Sequence, residues 1–461
     1  MFKLIQKTTT TSNNQIRNRI INTTTLLNNS NNINNAIISK RNYLHIGKLE
    51  QRGVKPKVVI LGCGWSSYAF LKKLNGDNFD ITLVSPRNHF LFTPLLASTS
   101  VGTLEFRSVA QPVRNAKDDF NYLQAECTKI NHEEKSIECL STLHHQTPFK
   151  IDYDYLIIGV GARNNTFNIP GVEKNSFFLK ELHQARSIRQ RIIYCFEMAS
   201  LPDVTPAERR KLLSFVVCGG GPTGVEFCGE LNDLVSEDIS RWFPNVPMNE
   251  VKITLLEASK SILSAFDQNL VKKALENFKA SGVDVRTNSP VKEVHEEKVI
   301  LSDGTEIPYG MLVWSTGVAP QKFINSLPFP KDKQGRLQVD QYLCLAGQKN
   351  IFAFGDCSNV NETNLPATAQ VAQQQGIYLA EQFNNSIKEL ESKPFVYHYF
   401  GILAYIGRKS SLFQTNAVQA SGLWAWIAWR SAYLTRLGSL RSFNMELNKK
   451  QLYMLTRISK D

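Results

Sequence analysis

The residues of this chain best suited to chemistry are glycines that would admit a phosphate, with a few acids and amides around them. Residues 215–231 read FVVCGGGPTGVEFCGEL, an apolar strand, a glycine turn and the opening of a helix. Gly219, Gly221 and Gly224 fill the G-x-G-x-x-G template of a dinucleotide site. The first makes the tight turn, the second lets backbone N–H groups approach a pyrophosphate, and the third lets helix pack on strand. A bound anion would sit at the helix N-terminus, where free N–H groups and the macrodipole favour negative charge. A second strand, residues 252–256, ends at Glu257, whose carboxylate suits the hydroxyls of an adenosine ribose. Glu257 lies farther from Gly219 than the usual ~20 residues, so the crossover must carry an extension. Glu226 follows Gly224 by two residues. It is either a charge favoured by the helix dipole, worth about 0.3–1 kcal/mol, or a side chain facing the nicotinamide of the dinucleotide.

A second fingerprint lies nearer the N-terminus. Residues 57–61 (KVVIL) lead into Gly62, Gly64 and Ser67, a small residue standing where the third glycine usually is. A helix is expected over residues 68–74, and the next strand, 80–84, ends at Ser85 instead of a carboxylate. Ser85 and Arg87 then hold the ribose by hydroxyl and guanidinium, or that contact is missing. The stretch 89–96, HFLFTPLL, either lines an aromatic cofactor or is a buried connection. Two further strands run into small-residue turns at Gly161 and Gly317. Another ends at Asp356, which either caps the next segment of chain or binds a ribityl hydroxyl or a phosphate-bound water. Glu181 opens a helix. Gln370 and Gln374, four apart, share a helix face; they mark either a solvated surface or a hydrogen-bonding pocket for a polar ring.

Positioning two such glycine turns takes two parallel βαβ units, so the fold class expected is α/β with two Rossmann-like domains. At 461 residues the chain has room for two or three domains. Residues 120–150 alternate as an antiparallel insert would. The eight cysteines form no C-x-x-C pair and no zinc spacing, which points to reduced structural thiols and no metal. No apolar run reaches the ~18 residues a membrane span needs.

Net charge is +12. Part of it sits in residues 1–52, rich in Asn, Thr and Ser, with Glu50 the one acid. That composition is a mitochondrial presequence or a low-complexity tail without an address. More lies near the C-terminus, where a helix from about Leu423 aligns Trp426, Trp429, Tyr433, Leu437 and Leu440 in a stripe edged by Arg430, Arg436 and Arg441. Such a face is either an amphipathic helix docking on a membrane surface or a helix packed on its own domain or on the second copy of a homodimer.

With these residues assembled, the chain resembles the alternative (type II, rotenone-insensitive) NADH:quinone oxidoreductases of mitochondria and bacteria, from about Lys57 onward. The matches are SPRNHFLFTPLL at 85–96, GGGPTGVE at 219–226 and TAQVAQQ at 368–374. The resemblance implies FAD held by Gly62, Gly64, Ser67, Ser85, Arg87, Thr93, Pro94, Gly161 and Asp356. It implies NADH held by Gly219, Gly221, Gly224, Glu257 and Gly317. It gives Glu226 and Glu181 catalytic positions and makes Gln370, Gln373 and Gln374 the quinone site, Gln373 standing where some relatives have His. The implied division is a presequence (1–52), a first FAD-binding part (53–179), an NADH-binding domain (180–317), a second FAD-binding part (318–394) and a membrane-anchoring segment (395–461).

The activity so implied is hydride transfer from NADH to FAD and two-electron transfer to ubiquinone, without proton pumping, peripheral on the mitochondrial inner membrane. Glu257 would disfavour a 2′-phosphate and so select NADH. Apoptosis-inducing-factor-like and ferredoxin-reductase-like flavoproteins share both fingerprints and remain alternatives. A basic nucleic-acid-binding protein on a flavin fold is a further alternative, but with much of the charge in the two ends, no nucleic-acid partner is expected.

Overall fold

The computed structural model describes residues 54–143, 147–361, 363, 365–388 and 390–436. The leader expected at 1–52 lies outside them, as do Leu437, Leu440 and Arg441 of the C-terminal stripe.

Two five-stranded sheets organise the chain, and both are wholly parallel. The first orders its strands Ile351–Ala353, Tyr155–Ile158, Lys57–Leu61, Asp80–Val84 and Asn121–Leu123. The second orders Phe177–Phe178, Met311–Trp314, Ser214–Cys218, Lys252–Leu256 and Asp284–Arg286. The central strands are buried on both faces, which explains why they read as unbroken apolar runs without alternation. Because Ile351–Ala353 returns to the first sheet, the second sheet is inserted between two parts of the first.

Each glycine turn feeds a helix. Trp65–Lys73 follows Lys57–Leu61 with Gly64 as N-cap, so it starts three residues before the expected 68–74. The turn therefore aims the helix N-terminus directly at the space over Gly64. Pro222–Leu234 follows Ser214–Cys218 with Gly221 as N-cap and Pro222 in its first turn, where a missing N–H costs nothing. The long crossover to Glu257 is filled by a π-helical turn, Val235–Ile239, a short helix, Ser240–Trp242, and a loop.

The expected insert at 120–150 is partly reassigned. Asn121–Leu123 pairs in parallel with Asp80–Val84 and belongs to the main sheet. The antiparallel piece is Ala125–Asn131, Ser136–Ser141 and Pro148–Asp152. All eight cysteines are free, and Cys127 faces Cys139 across two of these strands.

The C-terminal part is a three-stranded antiparallel sheet, Ile402–Tyr405, Ser411–Gln414 and Gln419–Gly422, followed by the helix Leu423–Arg436. It docks on the second fingerprint helix at Gly229, where an added Cβ would come within 2.6 Å of the Gly407 nitrogen. Asn277 Nδ2 donates to the Ile406 carbonyl at 2.6 Å from another side. Gly229→Val should therefore wedge the C-terminal sheet off this helix and destabilise the protein by about 1–3 kcal/mol. Denaturant unfolding would measure this, and an unchanged midpoint would contradict the docking.

Candidate active site

The first glycine turn and the opening of the helix that follows the second face one cavity of about 1100 Å³. Gly62, Gly64, Ser85, Arg87, Thr93, Pro94, Gly161 and Asp356 line it from the first unit, and Thr223, Glu226, Ser315 and Gly317 from the second. The geometry of the glycines fits a bound pyrophosphate in each unit. Gly62 and Gly219 have φ of +91° and +115°, and a Cβ on either would run into the opposite turn. Gly64 and Gly221 instead have open space where a Cβ would point, leaving room over the helix N-termini. A Cβ at Gly224 would overlap the Gly219 carbonyl, so the third glycine is fixed by helix–strand contact.

Glu226 sits where the two units meet. It is 8% exposed and one full turn inside its helix, so the reading as a solvated terminus charge is ruled out. Its carboxyl accepts the Tyr405 backbone N–H at 3.2 Å and lies beside the Trp429 indole. Burial pushes its pKa up to about 8, against these donors and with help from nearby Glu230. Glu230 is itself buried and accepts from Ser98 at 2.6 Å and Thr103 at 2.8 Å.

Lys180 and Asp356 both line the cavity. Burial lowers the Lys180 pKa, opposed by Asp356 and Glu181, and raises that of Asp356, opposed by Lys180 and Arg336. Gln375 fixes the Asp356 turn by accepting the Gly355 N–H at 2.7 Å. At the other end, Arg87 donates to Glu181 at 2.8 Å and contacts the Cys63 sulfur at 3.4 Å. Glu181 thus spends its carboxylate on Arg87, which ties the 85–91 loop to the helix Leu182–Ala199. The 89–96 stretch is partly a buried connection and partly a wall of the cavity. Phe90, Phe92 and Leu95 are buried, while His89, Leu91, Thr93, Pro94 and Leu96 line the cavity, with Trp65 donating to Thr93 at 3.0 Å.

The family model for pyridine nucleotide-disulphide oxidoreductases matches residues 56–376. A probable NADH dehydrogenase of Dictyostelium discoideum is 56% identical over 428 residues, spanning 89% of this chain and 95% of that one. An internal alternative NAD(P)H-ubiquinone oxidoreductase A1, mitochondrial, of Arabidopsis thaliana is 41% identical, spanning 85% and 82%. Among solved structures, NDH2 of Plasmodium falciparum in complex with NADH superposes with a TM-score of 0.82 at 29% identity, over 87% of this chain and 99% of that one. The chain is a type II NADH dehydrogenase of this oxidoreductase family.

Several residues of this type II enzyme stand elsewhere than expected. Gly219, Gly221, Gly224 and Glu257 are not in the lining of the large cavity, which Pro222, Thr223 and Glu226 reach from the same helix start. Glu257 accepts from the Gly220 and Ser259 amides, each at 2.7 Å, so it braces the glycine turn it was expected to serve. Ser67 is fully buried against Gly159, and its neighbour Ser66 lines the cavity instead.

The glutamine helix, Ala369–Ser386, differs most. The Gln370 amide bonds the Gly401 carbonyl at 3.0 Å and accepts from Phe400 N and Tyr397 OH. Gln374 pairs both ways with the His398 backbone, at 2.8 and 2.9 Å. Both side chains therefore clamp the extended segment 397–401, as a neighbouring strand would. Gln373 is half-buried on the same helix; none of the three lines the cavity, where Ala369 and Ala372 stand instead.

The two described side chains of the stripe, Trp426 and Trp429, lie against the protein. Trp429 is 6% exposed and stacks on Tyr405, with ring centroids 5.5 Å apart, and Trp426 is half-buried. The outward face carries Leu423, Trp424 and Ile427, with Trp424 79% exposed. Of the two readings open for this stripe, packing on the protein's own domain is the one its described part matches, and periodicity alone does not say which apolar face is covered. Lys180, Tyr405 and Gln375 were missed. Lys180 adjoins Glu181, but nothing in the sequence ties Tyr405 to a glutamate 179 positions away.

Because the folded-state pKa of Glu226 lies above the ordinary 4.5, its contribution to stability is complete below about pH 4.5 and is lost as pH rises through about 8. Thermal unfolding of Glu226→Gln beside the wild type should move in the variant's favour across that range. A difference independent of pH would contradict a buried, protonated Glu226.

Proposed function

We infer that the chain is a single-subunit, FAD-dependent NADH:ubiquinone oxidoreductase that passes hydride from NADH to FAD and two electrons on to quinone without pumping protons. The observation that carries this is the single cavity lined from both fingerprints, with Gly64 on one side and Thr223 and Glu226 on the other. Bound there, nicotinamide supplies the hydride and flavin accepts it and reduces the quinone.

The chain's own residues bind, orient and hold protons. Gly62, Gly64 and Gly161 with Asp356 would hold FAD in the parts 53–179 and 318–394. Gly219, Gly221, Gly224 and Glu257 would hold NADH in 180–317, and Gly317 would close the cavity between the two cofactors. Glu226, neutral below about pH 8, would keep a proton at the junction and add no negative charge beside the bound cofactors. The Arg87–Glu181 pair orders the 85–91 loop, so Glu181 acts through position, and Ser85, Thr93 and Pro94 complete that wall. Quinone reaches the site from the side of Ala369, Ala372 and Leu403, and Gln370 and Gln374 shape that entrance by fixing segment 397–401, with Gln373 beside them on the same helix.

We further propose that the enzyme is mitochondrial and peripheral, resting on the membrane surface through Leu423, Trp424, Ile427 and Phe400. All four are exposed, and no described helix is long and apolar enough to cross a membrane. A homodimer formed through the same face is the competing use, and a Trp424→Ser variant that changes mass in solution without losing vesicle binding would favour it.

The purified protein should be yellow, bleach on anaerobic addition of NADH and regain colour with a short-chain ubiquinone. Glu257→Gln should lower the preference for NADH over NADPH at least tenfold in kcat/KM, since a carboxylate near a 2′-phosphate costs on the order of 4 kcal/mol at about 4 Å. A colourless protein, or a bleached one that no quinone reoxidises, would overturn the function. An unchanged nucleotide preference would remove Glu257 from the site.

A further inference from the structure

A second cavity, of about 710 Å³, opens beside the large one and is lined by Arg107, Arg114 and Arg186 with no carboxylate among its walls. It shares His89, Asn88, Gln124, Leu182 and Arg186 with the large cavity, so the two meet at the Ser85–Arg87 end. None of the three arginines forms an ion pair among the described residues, whereas Arg87, Arg209, Arg286 and Arg336 all do. Two are held in place by aromatic rings: Arg114 lies 5.0 Å from the Tyr122 ring and Arg186 lies 5.1 Å from that of Phe106. Arg114 also donates to the Tyr122 carbonyl at 3.3 Å, which leaves other N–H groups of its fork unused.

Three guanidiniums around one cavity whose walls carry no carboxylate make it electropositive. His89 lies between the cavities: its pKa is lowered by burial and by Arg87 and Arg186, against Glu181, and its Nε2 is buried without a partner. Phosphate is the anion that Arg forks match best. The volume lies within the range of small-molecule sites and is far larger than one phosphate requires. Phe149, Leu143 and Leu123 supply an apolar wall on which a flat ring can rest.

We propose that this groove binds a free nucleoside polyphosphate, with its phosphates on Arg107, Arg114 and Arg186 and its base against the wall at Leu143 and Phe149. The site adjoins the flavin cavity, with which it shares His89 and Arg186, and through them its ligand would bear on the adenosine end of that cavity. The size of the groove favours a nucleotide over a phospholipid headgroup, whose tails would have to leave through the same opening.

The test is calorimetric titration of ATP into the FAD-loaded protein with NAD+ saturating the nicotinamide site, repeated with tripolyphosphate and with phosphatidylglycerol vesicles. Arg107→Gln and Arg114→Gln alter exposed side chains, and Arg210→Gln, also exposed and on the helix Pro206–Leu212, serves as control. Saturable ATP binding is expected, weaker for tripolyphosphate. Each of the two variants should raise Kd about tenfold, the size of one charge-assisted hydrogen bond, while the control leaves it unchanged. The proposal is overturned if ATP does not bind, if NAD+ displaces it, or if flavin appears in the filtrate as it binds. It is equally overturned if the two variants bind like the control, or if only the vesicles bind.

Discussion

A carboxyl group removed from water must be neutral or compensated, and the position of Glu226 imposes that requirement at the centre of this molecule. Its helix starts at the second glycine turn, so the side chain reaches the line along which the two parallel units meet. The compensation comes from the C-terminal sheet, through the Tyr405 amide, and from the last helix, through Trp429. Neither donor belongs to a dinucleotide-binding unit. The C-terminal region is therefore part of the active site's electrostatics: the Tyr405 amide serves Glu226 while the Tyr405 ring stacks on Trp429 and seats the final helix.

The same logic extends along the fingerprint helix. Glu230 is satisfied by two hydroxyls of the 96–103 region, and Asp233 by the Tyr405 hydroxyl and the Arg408 amide. Of three acids spaced along one helix face, Glu226 and Asp233 are thus both tied to Tyr405 and Glu230 to the 96–103 region. Desolvation alone would favour expelling them; hydrogen bonding converts them into fixed points that register the helix against its surroundings. At the opposite end of the cavity, Arg87 and Glu181 use a direct ion pair for the same purpose.

Much of the fold was legible because backbone geometry has local signatures. Unbroken apolar runs ending in glycine turns identified both parallel units, since only glycine tolerates the positive φ at Gly62 and Gly219. Contacts between elements distant in sequence left no such trace. Gln370 and Gln374 were read as a face of amides, and their spacing was right, but their partners are backbone groups of residues 398–401, which no periodicity marks. The last helix shows the same limit, because hydrophobicity distributed around its whole circumference does not choose between Trp429 and Trp424. Lys180 lay beside a residue that was singled out, but its approach to Asp356 depends on a sheet that reassembles only when residues 351–353 return to it.

A shared cavity for two dinucleotides, closed at Glu226, is the claim on which the functional reading rests. The most direct measurement is an anaerobic crystal structure of the FAD-loaded protein soaked with NADH. The expected result is the nicotinamide stacked on the flavin beside Thr223 and Glu226, with its pyrophosphate over Gly221 and that of FAD over Gly64. A nicotinamide ring lying out of contact with the flavin, or a second dinucleotide bound away from the Gly221 turn, would contradict it.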